Sequence, residues 1–452
     1  MNLFRLLQER VAEGRPVTVG LIGAGKFGSM FLAQARTTPG LCVTAVADLD
    51  PDRARAALAA TGWPDGICGA PSPAAALEHS TIHLTDDALE LIAADGVEVV
   101  IDATGNPPAG LEHARCATAN GKHVVMANVE ADVLAGPLLA AEARRAGLVY
   151  SMAYGDQPAL ICEMVDWAQA SGLGVVAAGK GTKYLPSFHD STPDTVWDGY
   201  GISPEQAAQG GMNPQMFNSF LDGTKSAIEM AAVSNATELT PAPGGLEFPP
   251  AGTHELAEVL RPCTEGGTLH HKGQVEVVSS LHRNGEPVER DLRWGVYVVF
   301  EASSDYTERC FSEYGLITDR SGRYSATYKP YHLIGLEVGV SVLSAALRGE
   351  PTGTPTGFRG DAVAVAKRHL NAGESLDGEG GFTVRGRLMP AGDSVAEGAL
   401  PIGIAHNVPL VNDVPKGRVI TWADVKVDEA SDAVRIRREM EARFAPVRAA
   451  AV

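Results

Sequence analysis

Val17-Thr-Val-Gly-Leu-Ile-Gly-Ala-Gly-Lys-Phe-Gly28 is an apolar run that feeds directly into a glycine triad, Gly23-x-Gly25-x-x-Gly28. The pattern reads as a strand turning into a helix. Gly23 permits the tight turn, Gly25 lets the backbone approach a pyrophosphate, and Gly28 lets the helix pack close on the strand. The N–H groups and dipole at the helix start then favour phosphate. A second apolar run, Leu41 to Ala47, ends at Asp48, twenty residues past Gly28. A carboxylate at that spacing accepts hydrogen bonds from the adenine ribose. Gly23, Ala24, Gly25, Lys26, Phe27, Gly28 and Asp48 are therefore expected to bind a dinucleotide. Asp48 would repel a 2′-phosphate, and the nearest arginine, Arg53, lies five residues on. NAD is expected ahead of NADP.

Working outward, apolar runs recur at Val97–Asp102, His123–Met126 and Leu148–Met152, alternating with helical stretches. That alternation predicts right-handed βαβ units and a parallel sheet over residues 1–152. Ligands of such sheets lie beyond the strand C-termini. Thr104, Gly105, Asn106, Asn128 and Glu130 follow two of those ends, where they read as nicotinamide neighbours, as turn residues, or as both.

With 452 residues the chain exceeds one ordinary core, so two or three domains are expected. No run of 18 apolar residues occurs, so no membrane span is predicted. The first fifteen residues lack a signal-peptide core, which predicts a cytoplasmic protein. The net charge of −18 (37 basic, 55 acidic) disfavours nucleic acid and anionic membranes as partners. The six cysteines form no CxxC pair and read as buried thiols.

A mixed α+β substrate domain is expected over 153–349. Its strands are read at Val175–Ala178, Gln274–Ser279, Gly295–Ala302 and Arg323–Lys329. One helix is predicted from Asn213-Pro214 to about Asn235, and another from Pro330 to about Leu347. Beyond a Pro/Gly-rich linker, Leu370-x-x-Gly373 and Val414-x-x-Gly417 echo one another as turns between short strands. A small β-rich domain is expected over 359–430. The tail, 431–452, is expected to carry a charged helix from Asp432 to Val447.

Several residues could carry chemistry. Lys180, between Gly179 and Gly181, reads as a lysine on a glycine-flexed loop that reaches a substrate oxygen. The same loop holds Asp190. Asp222, Lys225 and Glu229 form a stripe at spacings of 3 and 4. It is either a solvated set of ion pairs or an active-site wall with a tuned carboxylate. Lys329 and His332 are expected to flank a helix start suited to an anionic group. Asp156, Asp190 and Glu229 could supply oxygen ligands to a divalent cation, but no dense carboxylate motif settles whether a metal is used.

These residues also carry a family resemblance. Gly23-Ala-Gly25, Ile101-Asp-Ala-Thr-Gly105, Gly121-Lys-His-Val-Val-Met126, Asn128-Val-Glu-Ala-Asp132, Ala178-Gly-Lys-Gly181, Asp222-Gly-Thr-Lys225 with Glu229-Met-Ala, and Lys329-Pro-Tyr-His332 with Leu336-Glu337 together resemble the DXR-like (DRL) oxidoreductases. This is a homoserine-dehydrogenase-like group in which a member reduces and rearranges 1-deoxy-D-xylulose 5-phosphate. The tail resembles a SAF domain. Homoserine dehydrogenases carry an Asn-Lys pair where this chain has Asn128-Val129, which argues against that activity. The resemblance implies NADPH for a reductoisomerase, whereas Asp48 suits NAD. The loop Thr182–His189 also differs from the Lys- and Asn-rich stretch associated with the phosphosugar enzyme.

The expected function is an NAD(P)-dependent oxidoreductase acting on a small polyhydroxylated carbonyl compound or sugar, phosphorylated or not. Ketol rearrangement of the substrate is an open addition. Hydride would pass at a substrate carbon between the Rossmann sheet and the second domain. Lys180 would polarise the carbonyl, Glu229 and Asp190 would move protons or bind hydroxyls, and Lys225, Lys329 and His332 would orient the substrate. The alternatives are a 1-deoxy-D-xylulose 5-phosphate reductoisomerase and a non-catalytic NAD-binding sensor or scaffold. A homodimer is expected.

Overall fold

The computed structural model describes residues 2–444. The chain divides into two compact units. The first comprises Met1–Leu160 with His332–Thr356, the second Ile161–Tyr331 with Gly357–Val452.

The first unit is built on a six-stranded parallel sheet: β1 (Val17–Ile22), β2 (Leu41–Ala47), β3 (His83–Thr85), β4 (Val99–Asp102), β5 (His123–Met126) and β6 (Tyr150–Met152). The strand order is β3-β2-β1-β4-β5-β6, which reverses direction between β1 and β4. Every residue of β1 and β4 is buried, as expected of strands covered on both faces. In register, Ile22 lies beside Ala47 and Asp102, and Asp102 beside Met126. The ends that carry Gly23, Asp48, Ala103 and Ala127 therefore form one edge. Helices α1 (Lys26–Ala35) and α2 (Val129–Arg145) start there.

Residues 332–356 return to this unit, although the sequence places them in the substrate domain. Val338, Val342 and Leu343 join the core that contains Val19, Leu21 and Val99. Ser341 Oγ receives the Tyr154 N–H at 2.7 Å and donates to the Met152 carbonyl at 3.1 Å. The helix here runs Gly339–Arg348, nine residues later than Pro330 predicts.

The second unit centres on a mixed sheet of β7 (Gly174–Thr182), β8 (Gln274–Ser279), β9 (Val296–Glu301) and β10 (Tyr324–Lys329), in the order β10-β9-β7-β8. β7 is central, parallel to β8 and antiparallel to β9. The predicted 213–235 helix is two helices, α3 (Pro214–Leu221) and α4 (Thr224–Thr237). They break at Asp222-Gly223, where Gly223 takes a left-handed φ of 89°. Almost all of α4 is buried. It lies against β7 and β8 and also against the C-terminal strands β11 (Gly360–Ala366) and β13 (Val384–Pro390).

β11 and β13 pair antiparallel, as do the short β12 (Ser375–Asp377) and β14 (His406–Pro409). The sequence echo is a pairing: Leu370 and Val414 exchange backbone hydrogen bonds at 2.9 and 2.8 Å. Gly373 and Gly417 both hold left-handed φ angles just past it. The last helix is Asp432–Phe444, and the remaining part of its predicted span and tail lies outside the described residues. Its Arg437 is fully buried against Asp361 at 2.6 Å.

Candidate functional site

The glycine loop has the shape its sequence predicts. A Cβ on Gly28 would sit 2.2 Å from the Gly23 carbonyl oxygen, and one on Gly23 would sit 2.7 Å from that of Ala103. Both positions thus need glycine for packing. A Cβ on Gly25 meets nothing within 4 Å. Gly25 caps α1 and is exposed, which leaves the helix N-terminus open to a phosphate. Lys26 begins α1 on the surface, and Phe27 packs on the core. The loop fits a dinucleotide.

Asp48 is buried and accepts the Ala24 N–H at 2.8 Å, the Asp50 N–H at 3.0 Å and the Arg53 guanidinium. Burial alone would raise its pKa, but Arg53 and the two backbone N–H groups outweigh that and lower it. Asp48 therefore stays charged and ties the glycine loop to the end of β2. The distance in sequence that seemed to exclude Arg53 is spanned by the first turn of the Pro51–Ala60 helix. The Arg53 side chain is 56% exposed, so a guanidinium faces solvent beside the carboxylate.

At the ends of β4 and β5, Asn128 caps α2 through the Ala131 N–H and donates to the Asn106 carbonyl at 2.8 Å. Thr104 donates to Asp102 at 2.8 Å, and Asp102 also meets His113 Nδ1 at 2.5 Å. Thr104 and Asn128 are therefore part of a rigid polar rim. Gly105 is exposed with φ of 63°, and Glu130 lies in the first turn of α2.

In the second unit Lys180 is not on a flexible loop. It lies within β7, is buried, and pairs with Glu229 of α4. Its flanking glycines answer close backbone approach. A Cβ on Gly179 would fall 1.7 Å from the Glu276 carbonyl oxygen, and one on Gly181 would fall 1.9 Å from that of Leu292. Nor is the acidic stripe solvated. Glu229 and Asp222 are both buried, and Asp222 pairs with Lys367 of the C-terminal domain at 2.7 Å. Lys225 lies in the first turn of α4, half-buried.

The remaining predicted residues are dispersed. Asp190 ends a short 3-10 turn and forms an exposed ion pair with Lys416 at 2.8 Å. Lys329 is the last residue of β10. His332 belongs to the first unit, where its Nδ1 is 3.5 Å from Gln157 Nε2. Neither flanks a helix start. Among the described residues no three His, Cys, Asp or Glu side chains are gathered to hold a metal ion, so Asp156, Asp190 and Glu229 do not form the suggested oxygen cluster. No helix among them is long and apolar enough to cross a membrane.

Sequence reasoning placed His189 on the polar loop without giving it a role, and it missed Glu276 and Arg385. His189 receives the Tyr184 hydroxyl at Nε2 (3.0 Å) and donates from Nδ1 to the Asp222 carbonyl (2.8 Å). Burial, followed by the nearby Arg385 charge, pulls its pKa down to about 4, so the ring is neutral. Glu276 is buried and accepts the Val277, Glu247 and Phe248 N–H groups, and burial pushes its pKa up to about 7. Arg385 of β13 reaches the same region. Only the alternation within Val384–Pro390 hinted that Arg385 and Arg387 share a strand face.

Residues 17–128 match the oxidoreductase-family model with an NAD-binding Rossmann fold, of the GFO/IDH/MocA type. Residues 361–426 match the SAF domain. The sheet order, the glycine loop and these matches define a Rossmann oxidoreductase with a SAF domain. Residues 155–338 match the catalytic domain of oxidoreductase DRL, in line with the resemblance carried by the sequence motifs. No curated protein matches it. Among solved structures, a myo-inositol dehydrogenase from Lactobacillus casei matches at 16% identity over 40% of this chain and 50% of that one, with a TM-score of 0.28. A 3-ketoreductase from Actinomadura kijaniata matches at 19% identity over 38% and 48%, TM-score 0.26. A biliverdin reductase from a Synechocystis species matches at 17% identity over 38% and 48%, TM-score 0.26. The chain spans about half the length of these structures.

Proposed function

We propose that the chain is an NAD(P)-linked oxidoreductase whose substrate is a small polyhydroxylated carbonyl compound or the corresponding alcohol. The observation that carries this reading is the buried Lys180–Glu229 pair in the DRL catalytic segment. A buried lysine near the end of a central strand is an expensive core residue, and the glycines on either side make room for backbone, not for the lysine itself.

A bound nicotinamide supplies hydride exchange. Lys180 does the rest of the work at the substrate oxygen. In the reductive direction its ammonium hydrogen-bonds the carbonyl oxygen and gives up a proton as negative charge develops there. Glu229 fixes the direction of the Lys180 side chain by pairing with it. Lys225, Lys329 and His332 are assigned to substrate hydroxyls or an anionic end. Asp190 is given no catalytic role, because its carboxylate is exposed and paired with Lys416.

A second reading, reductive isomerisation of 1-deoxy-D-xylulose 5-phosphate, is favoured by the DRL match and by the solvent-facing Arg53 guanidinium, which suits the 2′-phosphate of NADPH. One experiment tests both. Purified protein is assayed with NAD(H) and NADP(H) against the phosphosugar and a panel of tetroses, pentoses, ketoses and their acids, and products are read by NMR. Turnover of an unbranched sugar or acid with its skeleton intact supports a plain dehydrogenase. A rearranged skeleton supports the isomerising reading. Cofactor binding without turnover of any compound would favour the sensor or scaffold role instead.

A further inference from the structure

A cavity of about 100 Å³ lies on the opposite side of α4 from Lys180. Its walls include His189, Gly223, Ala227, Phe248, Arg385 and Arg387. Ala227 and Glu229 are two residues apart on one helix, about 200° around its axis at 3.6 residues per turn. The cavity is therefore distinct from the face that carries the Lys180–Glu229 pair.

Arg385 and Arg387 alternate along β13, so both point to the same face of the strand. Among the described residues their only side-chain hydrogen bonds are long ones to carbonyls, Arg385 to Gly386 and Arg387 to Gly244, each at 3.4 Å. Among the described residues neither guanidinium has a carboxylate partner. The nearby acids are already engaged, Asp222 by Lys367 at 2.7 Å and Asp190 by Lys416 at 2.8 Å. His189 adds no negative charge: both ring nitrogens are engaged, with the Tyr184 hydroxyl and the Asp222 carbonyl, and burial keeps the ring neutral. Gly223 and Ala227 bring the positive end of α4 to the same wall. Gly386 lets β13 come this close, with its N–H on Thr224 Oγ1 at 2.8 Å. Two guanidiniums and a helix start face the cavity, and the two carboxylates that act on Arg385, Asp222 and Asp190, are each paired with a lysine. Burial, helped by the neighbouring Arg387 charge, lowers the pKa of Arg385 against the pull of Asp222, Tyr184 and Asp190.

We propose that this cavity binds a compact oxyanion, inorganic phosphate or the terminal phosphate of a metabolite, forked by Arg385 and Arg387 against the first turn of α4. Arginine suits this role because its planar fork pairs with phosphate through two parallel hydrogen bonds. The volume suits a single phosphoryl group, well short of the several hundred Å³ that larger ligands occupy.

The test uses full-length protein saturated with NAD⁺, so that the glycine loop is filled, in a phosphate-free buffer. Inorganic phosphate is titrated by calorimetry, and amide exchange is followed with and without it. Saturable one-site binding is expected, with slowed exchange confined to 223–227 and 385–388. Arg385→Gln is expected to weaken binding at least tenfold, and Arg387→Gln by a comparable factor. Glycerol phosphate identifies the source: tighter binding than phosphate assigns an esterified ligand, and weaker binding assigns the free ion. No saturable binding to the wild-type protein, or binding unchanged in both variants, overturns the proposal. Should either variant fail to fold, the wild-type exchange map decides, since protection elsewhere is equally fatal.

Discussion

Lys180 and Glu229 each expose about 5% of their surface, and their charges oppose one another inside the second unit. Replacing Lys180 with Met strands a buried carboxylate. Breaking such a pair from one side costs about 3–5 kcal/mol. At roughly 2–4 °C per kcal/mol for a unit of this size, Tm falls by about 6–20 °C. Replacing both residues, as Lys180→Met with Glu229→Leu, removes the stranded charge, and apolar replacement of a whole buried pair is neutral or stabilising. The double variant should therefore regain most of the lost Tm. Activity should not follow: both variants should lose about 10²–10⁴ in kcat/KM, the usual contribution of a proton-transferring group.

The assay is calorimetric melting beside steady-state rates on whichever substrate the screen identifies. Two results refute the reasoning. If the double variant keeps kcat/KM within about threefold of wild type, well below an acid–base effect, the pair serves structure alone. If Lys180→Met melts with wild-type Tm, Glu229 is not held in the environment described.

Other outcomes follow from the same geometry. Gly25→Ala should keep Tm, because its Cβ meets nothing, yet weaken NAD binding at least tenfold. Gly28→Ala should lower Tm outright, because its Cβ collides with the Gly23 carbonyl. Comparing melting with cofactor titration separates the two. Arg53→Ala should weaken NADP(H) by about 1.5–3 kcal/mol, the value of a charge-assisted hydrogen bond, while leaving NAD(H) unchanged or tighter. An unaltered NADP/NAD ratio would dismiss Arg53 as a phosphate contact. Asp132, buried beneath Tyr150, has its pKa pushed up from 3.8 to about 7 by burial. The folded state then holds a proton that the unfolded chain has released, so stability falls as pH rises from about 4 to 7. Asp132→Asn, which does not titrate, should gain on wild type by about 2–3 kcal/mol between pH 5 and 8 at about 1.4 kcal/mol per pH unit; an equal stability difference between the two proteins at both pH values, read from denaturant titrations, would contradict this.

The first unit was legible because its signals are local. The strand, the glycine spacing and Asp48 all lie within about thirty residues, and each glycine's role follows from its immediate neighbours. Arg53 was misjudged because linear distance stood in for a helical turn. The second unit depends on contacts between distant segments. The glycines around Lys180 read as flexibility, whereas the atoms they accommodate belong to Glu276 and Leu292. The break at Asp222-Gly223 was visible as a glycine after an apolar run, but the stripe at helical spacing carried the reading through it. That stripe seemed one face of a surface helix. α4 is instead buried nearly all round, so its charges needed partners from elsewhere, and neither Lys180 nor Lys367 is adjacent in sequence.

That burial bears on how independent the SAF domain is. Asn235 of α4 accepts the Arg359 and Gly360 N–H groups at 2.7 and 3.0 Å and donates to the Gly360 carbonyl at 3.1 Å. Asn218 donates to the Gly380 carbonyl at 2.8 Å, and Lys367 reaches both Asp222 and the Ser191 carbonyl. A chain ending at residue 356 loses all of these together. The stranded Asp222 alone costs about 3–5 kcal/mol, and each buried amide left without a partner adds about 1–3 kcal/mol. That sum rivals the 5–15 kcal/mol by which folded domains are typically stable. The truncated chain should therefore be insoluble or melt without cooperativity in its catalytic segment, while the Rossmann unit, whose core uses none of these contacts, still binds NAD. A truncated protein that melts like the full chain and retains turnover would show the SAF domain to be a detachable module, and the contacts around α4 to be incidental to the catalytic fold.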